Sequence, residues 1–193
     1  MEEEKIPEEE QKLDPAKEVY EWVQCVVVAL IACVLMFTFL GRVIDVIGVS
    51  MEDTFYTGHK VIVTRLAGDY EQGDVVVLQK ASYGDKPLIK RVIATAGQTV
   101  SINFATGIVY VDGVPLDEPY TKEPTYTQED FYQPVYVPEG CIFVMGDNRN
   151  HSQDSRYAPI GCVDTRYVLG KAVFQIWPLN RIGADFKTDA FDK

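Results

Sequence analysis

Residues 88–95 read Leu-Ile-Lys-Arg-Val-Ile-Ala-Thr. Aliphatic and β-branched side chains dominate the stretch, and Pro87 before it and Gly97 after it punctuate the chain, so its period is that of a strand. Alternation then puts Leu88, Lys90 and Val92 on one face and Ile89, Arg91 and Ile93 on the other. Two adjacent cations are thereby embedded in apolar surroundings. For an amine to work as a base near neutrality its pKa must fall by about 3 from ~10.4, roughly 4 kcal/mol of preference for the neutral form. Burial against aliphatic neighbours is the physical route to that fall. Taken alone, the same residues read more simply as an edge strand whose lysine snorkels to water.

Outward from this stretch the same period recurs. Short β-branched runs occupy Lys60–Arg65, Asp74–Gln79, Thr99–Phe104, Ile108–Val111, Cys141–Met145 and Lys171–Trp177, with Gly, Pro, Asn or Asp between most of them. Val111-Asp112-Gly113-Val114 is a strong hairpin signal. No helical periodicity competes after residue 41. The fold class is therefore mainly β, with antiparallel sheets in a sandwich-like or barrel-like domain over 42–193, about 150 residues and enough for one sizeable core. The Pro/Tyr-rich segment Glu118–Pro138 reads as a long excursion between strands, of the kind that often carries function.

Before this domain the composition changes twice. Residues 1–21 carry nine acidic residues against Lys5, Lys12 and Lys17, within a net charge of −11 for the chain. That predicts a solvated acidic tail and excludes nucleic acid as a partner, since phosphate binding needs clustered Lys and Arg. Trp22–Leu40 then holds 19 residues without a charge. As a helix it reaches about 28 Å, close to the hydrocarbon thickness of a bilayer, so residues 22–41 are expected to form one transmembrane helix. A cleaved secretory signal fits less well, because the preceding region is long and acidic and no small-x-small site follows Leu40. Three lysines before the span against Arg42 just after it lean weakly toward a cytoplasmic N-terminus. Cys25 and Cys33 read as small hydrophobes within the span. Cys141 and Cys162 lack the spacing of a metal or redox motif, and whether they pair is left open.

Three segments are polar or strained where their neighbours are plain. Val46–Phe55 puts Ser50 among turn formers just after Gly48; residues 88–95 carry Lys90 and Arg91; and Gly146–Arg156 follows an apolar strand with Asp147, Asn148, Arg149, His151, Ser152, Asp154 and Arg156. In the last, compensating charges suggest a structured network rather than a solvated loop.

Together these segments resemble the successive signature boxes of type I signal peptidases: Ser50-Met51 with Thr54, Lys90-Arg91 followed by Gly97, and Gly146-Asp147-Asn148-Arg149 with Ser152, Asp154, Ser155 and Arg156. The order and separation match, and the apolar span lies where the family places its anchor. The resemblance implies a serine endopeptidase of β fold that removes signal peptides from exported preproteins after small residues at −1 and −3. It implies Ser50 as nucleophile and Lys90 as general base, with Ser152 orienting the lysine. The oxyanion would be held by backbone at Ser50 and at Gly48, a position that in the Gram-positive variant has no side-chain hydroxyl. Asp147 would pair with Arg91 and Asp154 with Arg156 as structural bridges, and Ile44, Val46, Met51, Phe55 and Ile89 would line shallow pockets selecting small side chains. Its partners would be preprotein signal peptides and the lipid bilayer, without an obligate protein partner, and it would need no metal and no cofactor. It would sit in the cell membrane as a single-pass protein, with the N-terminus cytoplasmic and the catalytic domain extracytoplasmic.

The chain departs from the family pattern at Asp53, Phe55, Ala94, Ala96, Gln98, Asn150-His151 and His59. Asp53, a charge close to the nucleophile, bears on substrate preference. Rival readings follow from the same residues. His151 or His59 with Asp147 or Asp154 would make a Ser/His/Asp hydrolase. An autoproteolytic repressor shares the dyad but needs a DNA-binding head, where this chain has an acidic tail and an apolar span. A membrane-tethered β binding module would use the polar loop as a recognition surface.

Overall fold

The computed structural model describes residues 15–39, 41–66, 68–84, 86–183 and Phe186. The expected acidic tail lies outside the described residues up to position 14. The chain divides into two units, Met1–Phe39 and Leu40–Lys193.

The first unit is a helix, α1 (Pro15–Phe39), of 25 residues. Pro15 suits its first position, where the missing N–H would be unpaired in any case. Within it Ala16–Leu35 has a mean hydropathy of 1.8 and is long and apolar enough to cross a membrane by length and composition. Trp22, Val26, Val28, Leu30 and Val34 are all exposed. These outward-facing apolar side chains are compatible with a membrane anchor.

Among its described residues the second unit has eleven strands: β1 (Arg42–Asp45), β2 (Lys60–Thr64), β3 (Val75–Leu78), β4 (Leu88–Thr95), β5 (Thr99–Asn103), β6 (Ile108–Val111), β7 (Val114–Pro115), β8 (Val135–Tyr136), β9 (Cys141–Met145), β10 (Val163–Asp164) and β11 (Val168–Trp177). They form a seven-stranded sheet, β1-β2-β11-β3-β4-β9-β10, and a four-stranded sheet, β7-β6-β5-β8. Every pairing is antiparallel. The β6–β7 hairpin turns at Asp112 and Gly113 with φ of 53° and 81°. This is the doubly left-handed geometry that Asp-Gly accepts most easily and that matches strand twist.

The core explains the alternation. On β4, Ile93 and Ala94 pack with Phe143 and Met145 of β9 against Val100, Val109 and Val111 of the smaller sheet, joining the two sheets. On the other side Val76, Leu78, Val92, Ile142 and Val144 meet Ile160, Val163 and Val168. The remaining apolar side chains of β3, Val75 and Val77, join Val46, Met51, Phe55, Val61, Val63 and Ala172. β3 is thus covered on both faces, which is why its sequence is a continuous apolar run. Cys141 and Cys162 are free thiols, half-buried.

Candidate active site

β4 is the element that positions the chemistry. Its register with β3 sets Val75 opposite Arg91 and Val76 opposite Lys90, so both cations arise from a strand paired on each side. Lys90 is 2% exposed and Arg91 is fully closed off. The edge-strand reading therefore does not hold. Lys90 Nζ lies 2.6 Å from Ser50 Oγ, a hydrogen bond linking residues 40 positions apart. Burial, partly opposed by Asp154 and Asp147, pulls the Lys90 amine down to about 8.

Ser50 sits in the loop from β1 to β2, a loop tied by Val46 N–H to His59 O at 2.8 Å and Phe55 N–H to Met51 O at 2.7 Å. The segment after β9 grips the same loop from the other side. Asn148 Nδ2 donates to Val49 O at 3.0 Å, Asn148 N–H donates to Ser50 O at 3.1 Å, and Thr54 Oγ1 donates to Asp147 Oδ2 at 2.5 Å. Gly146 permits the approach: a Cβ there would fall 2.5 Å from Ser50 O and against the Ser152 side chain. This close-packing requirement was invisible in the sequence, where Gly146 read only as the first residue of the polar segment after an apolar strand.

The two expected bridges form. Arg91 holds Asp147 through Nε and Nη2 at 2.9 and 2.8 Å. Its remaining nitrogen donates to Gly73 O and Phe186 O at 2.9 Å each, and the guanidinium lies 4.1 Å over the Tyr120 ring. Arg156 holds Asp154 through Nε at 2.9 Å and Nη2 at 2.8 Å. Burial alone would raise Asp154; the Arg156 charge and its hydrogen bonds, with the Gly146 N–H, hold the carboxyl below its usual range instead. A third bridge was not anticipated: Arg149 clasps Glu118 with contacts of 2.7 and 2.5 Å, tying the long excursion to the polar loop.

Other expectations are placed differently. Ser152 Oγ is buried and has no hydrogen-bond partner, so it does not fix the lysine here; its side chain is turned against Gly146. The Gly48 N–H is engaged with Thr57 Oγ1 at 3.0 Å. Val46, Met51 and Phe55 are packed into the core with Ile44 and Ile89 partly buried at its margin, because apolar side chains from five strands converge there. They do not line the open cavity. That cavity, about 410 Å³, is bounded by Gly48, Val49, Ser50, Tyr83, Leu88, Lys90, Glu129, Asn150, His151, Ser152 and Gln153. Asp53 is exposed and accepts the Tyr56 hydroxyl at 2.9 Å.

Of the two histidines, His59 is buried, and its Nδ1 accepts from Tyr56 N–H at 3.3 Å and meets Gln175 Nε2 at 3.0 Å. Burial and then Arg181 push its pKa down, which fits a neutral ring held for packing. His151 is exposed at the cavity wall. Glu129, which also lines the cavity, carried no signal of its own beyond membership of the long excursion.

A buried amine in hydrogen-bond contact with a serine hydroxyl, opening on a cavity, can activate that hydroxyl for acyl transfer. Comparison with known proteins points the same way. The family described as signal peptidase, peptidase S26, matches residues 19–177. Signal peptidase I of Bacillus licheniformis is 33% identical over 187 residues, covering 90% of this chain and 97% of that protein. The probable signal peptidase I-1 of Synechocystis sp. is 35% identical over 179 residues and covers 88% of each chain. Signal peptidase I of Mycobacterium tuberculosis is 31% identical, covering 88% of this chain and 76% of that protein. With matches of this extent, the chain belongs to the signal peptidase family, peptidase S26, and is a serine endopeptidase.

Proposed function

We propose that this protein is a membrane-anchored signal peptidase that cleaves exported preproteins by a Ser50–Lys90 dyad. The observation that carries the reading is the 2.6 Å contact between Ser50 Oγ and the buried Lys90 Nζ. With the amine drawn to about 8, a useful fraction is neutral near physiological pH and able to accept the hydroxyl proton.

Ser50 Oγ attacks the scissile carbonyl as its proton passes to Nζ. The Ser50 N–H is the donor assigned to the developing oxyanion; Gly48 supplies a second backbone donor only if its bond to Thr57 is exchanged. The lysinium then protonates the leaving amine, and a water activated by the neutral lysine releases the acyl group. Ser152, buried without a partner, is available to orient Nζ once its side chain rotates. Ile44 and Ile89 do not line the cavity of the dyad; partly buried at the margin of the apolar cluster, they are the residues assigned to a separate surface that accepts small side chains at −1 and −3. α1 holds the catalytic domain, residues 42–193, at the membrane, with the N-terminus cytoplasmic and the domain extracytoplasmic.

The test is cleavage of a preprotein bearing an Ala-x-Ala junction by the full-length protein in detergent. A shortened product is expected from the wild type and from His151→Ala, and none from Ser50→Ala or Lys90→Ala. Activity that survives Lys90→Ala but not His151→Ala would replace the dyad with a histidine base. A folded wild type that gives no product would favour the binding module.

A further inference from the structure

Glu129 is the sole carboxylate among the described residues lining the cavity that holds Ser50 and Lys90. Its Oε2 is buried and has no hydrogen-bond partner. Its backbone adopts a φ of 52°, a conformation that non-glycine residues seldom take. The segment carrying it is nonetheless firmly held: Arg156 Nη1 donates to Thr127 O at 2.8 Å, Asp130 N–H to Arg156 O at 3.2 Å and Phe131 N–H to Gln128 O at 3.1 Å. Strain and an unpaired buried oxygen are both unfavourable, and their coincidence beside a reacting pair is the pattern of a residue kept for function.

The neighbouring carboxylates are differently engaged. Asp147 is occupied by Arg91 and Thr54, and Asp154 by Arg156 and the Gly146 N–H. We propose that Glu129 is a positioning residue for the reaction, its carboxylate acting across the cavity to stabilise the ammonium that forms when Lys90 Nζ takes the Ser50 proton. This rests on the Ser50–Lys90 reading. No atom is transferred to Glu129: the Oγ–H bond breaks, the N–H bond forms, and the positive charge that appears on Nζ is met by a charge already in place.

The same attraction has an opposite effect on the resting enzyme, where it keeps the lysine protonated to higher pH. The groups facing Glu129 are Lys90 from β4, Asp154 and Arg156 from the loop after β9, and Asp130 beside it, with His151 and Tyr83 also on the cavity wall. Burial, reinforced by Asp154 and opposed by Arg156, pushes the Glu129 carboxyl up to about 7, just below the lysine at about 8. Each charge acts on the other, so the two groups titrate as a coupled pair whose apparent values belong to the pair.

The experiment is the pH dependence of cleavage by the full-length protein and its Glu129→Gln, Glu129→Asn and Glu129→Asp variants. Asn is included because it tolerates a left-handed backbone better than Gln. Both neutral variants should move the acid limb of kcat/KM to lower pH by roughly half a unit or more, and lower the high-pH plateau of kcat several-fold. Asp should keep the limb near its wild-type position. Unmoved limbs in the neutral variants, or an equal displacement in Asp, would overturn the proposal. In the wild type, where folding is not in question, the Lys90 13Cε titration should be broader than a single ionisation and should sharpen in Glu129→Gln; curves of the same shape in both would equally overturn it. Lys90→Ala run in parallel separates the two levels: retained cleavage there removes the dyad itself.

Discussion

Lys90 and Arg91 leave β4 in opposite directions, are almost equally buried, and are treated in opposite ways. Arg91 meets a bidentate carboxylate, two carbonyls and an aromatic face. Lys90 meets a hydroxyl. A buried charge given a full set of partners stays charged and welds together the strands that supply them, whereas one left with a single neutral partner tends to lose its proton. The difference is therefore between a brace and, in the proposed reading, a base, made from two cations one residue apart.

The comparison can be broken most severely at the base. Lys90→Met should lower kcat/KM by on the order of 10⁴-fold or more, since the members of a catalytic unit fail together; preprotein cleavage measures it. On the braced face, Asp147→Asn leaves Arg91 with an uncompensated buried charge and should destabilise the domain by about 3–5 kcal/mol, read by denaturant unfolding. In the third case Ser50 and Lys90 are retained but misaligned. Gly146→Ala pushes a methyl against Ser50 O and the Ser152 side chain, and should cost about 10²-fold in kcat through displacement of the nucleophile loop, with a smaller effect on KM.

The smallest effect sharpens the comparison instead of breaking it. The folded pKa of Lys90 lies below its unfolded value, so between pH 8 and about 10.5 the unfolded chain binds more protons and stability rises with pH. The penalty is complete below about 8. Lys90→Met should therefore be more stable than the wild type by about 2 kcal/mol at neutral pH, with the gain fading as pH approaches about 10.5. A stability difference that does not depend on pH would mean that the lysine is not desolvated as its surroundings imply.

How far these features were legible depends on what carries them. β4, β6 and β9 follow from β-branched periodicity alone, with ends matching the apolar runs. β7, β8 and β10, at two residues each, have no period to detect, and β1 hides in a Val-Ile pair between charges. The insertion of β11 between β2 and β3 is a long-range pairing that local sequence does not encode. In the site, the Arg91–Asp147 and Arg156–Asp154 pairs and the candidate dyad were read through the family resemblance. From the residues alone, Lys90 was better explained as an exposed edge lysine. Ser152 was expected to orient the lysine, and its Oγ makes no hydrogen bond to it. Glu129 was unreadable: a glutamate in a Pro/Tyr-rich stretch acquires meaning only when the chain returns it to the cavity.

The hydrogen bond from Asn148 to Val49 joins positions 99 apart in sequence. During synthesis the serine is made long before the loop that aligns it, and no shorter stretch of chain contains both. The contact that fixes Val49, next to Ser50, therefore forms only once the chain has been made as far as residue 148.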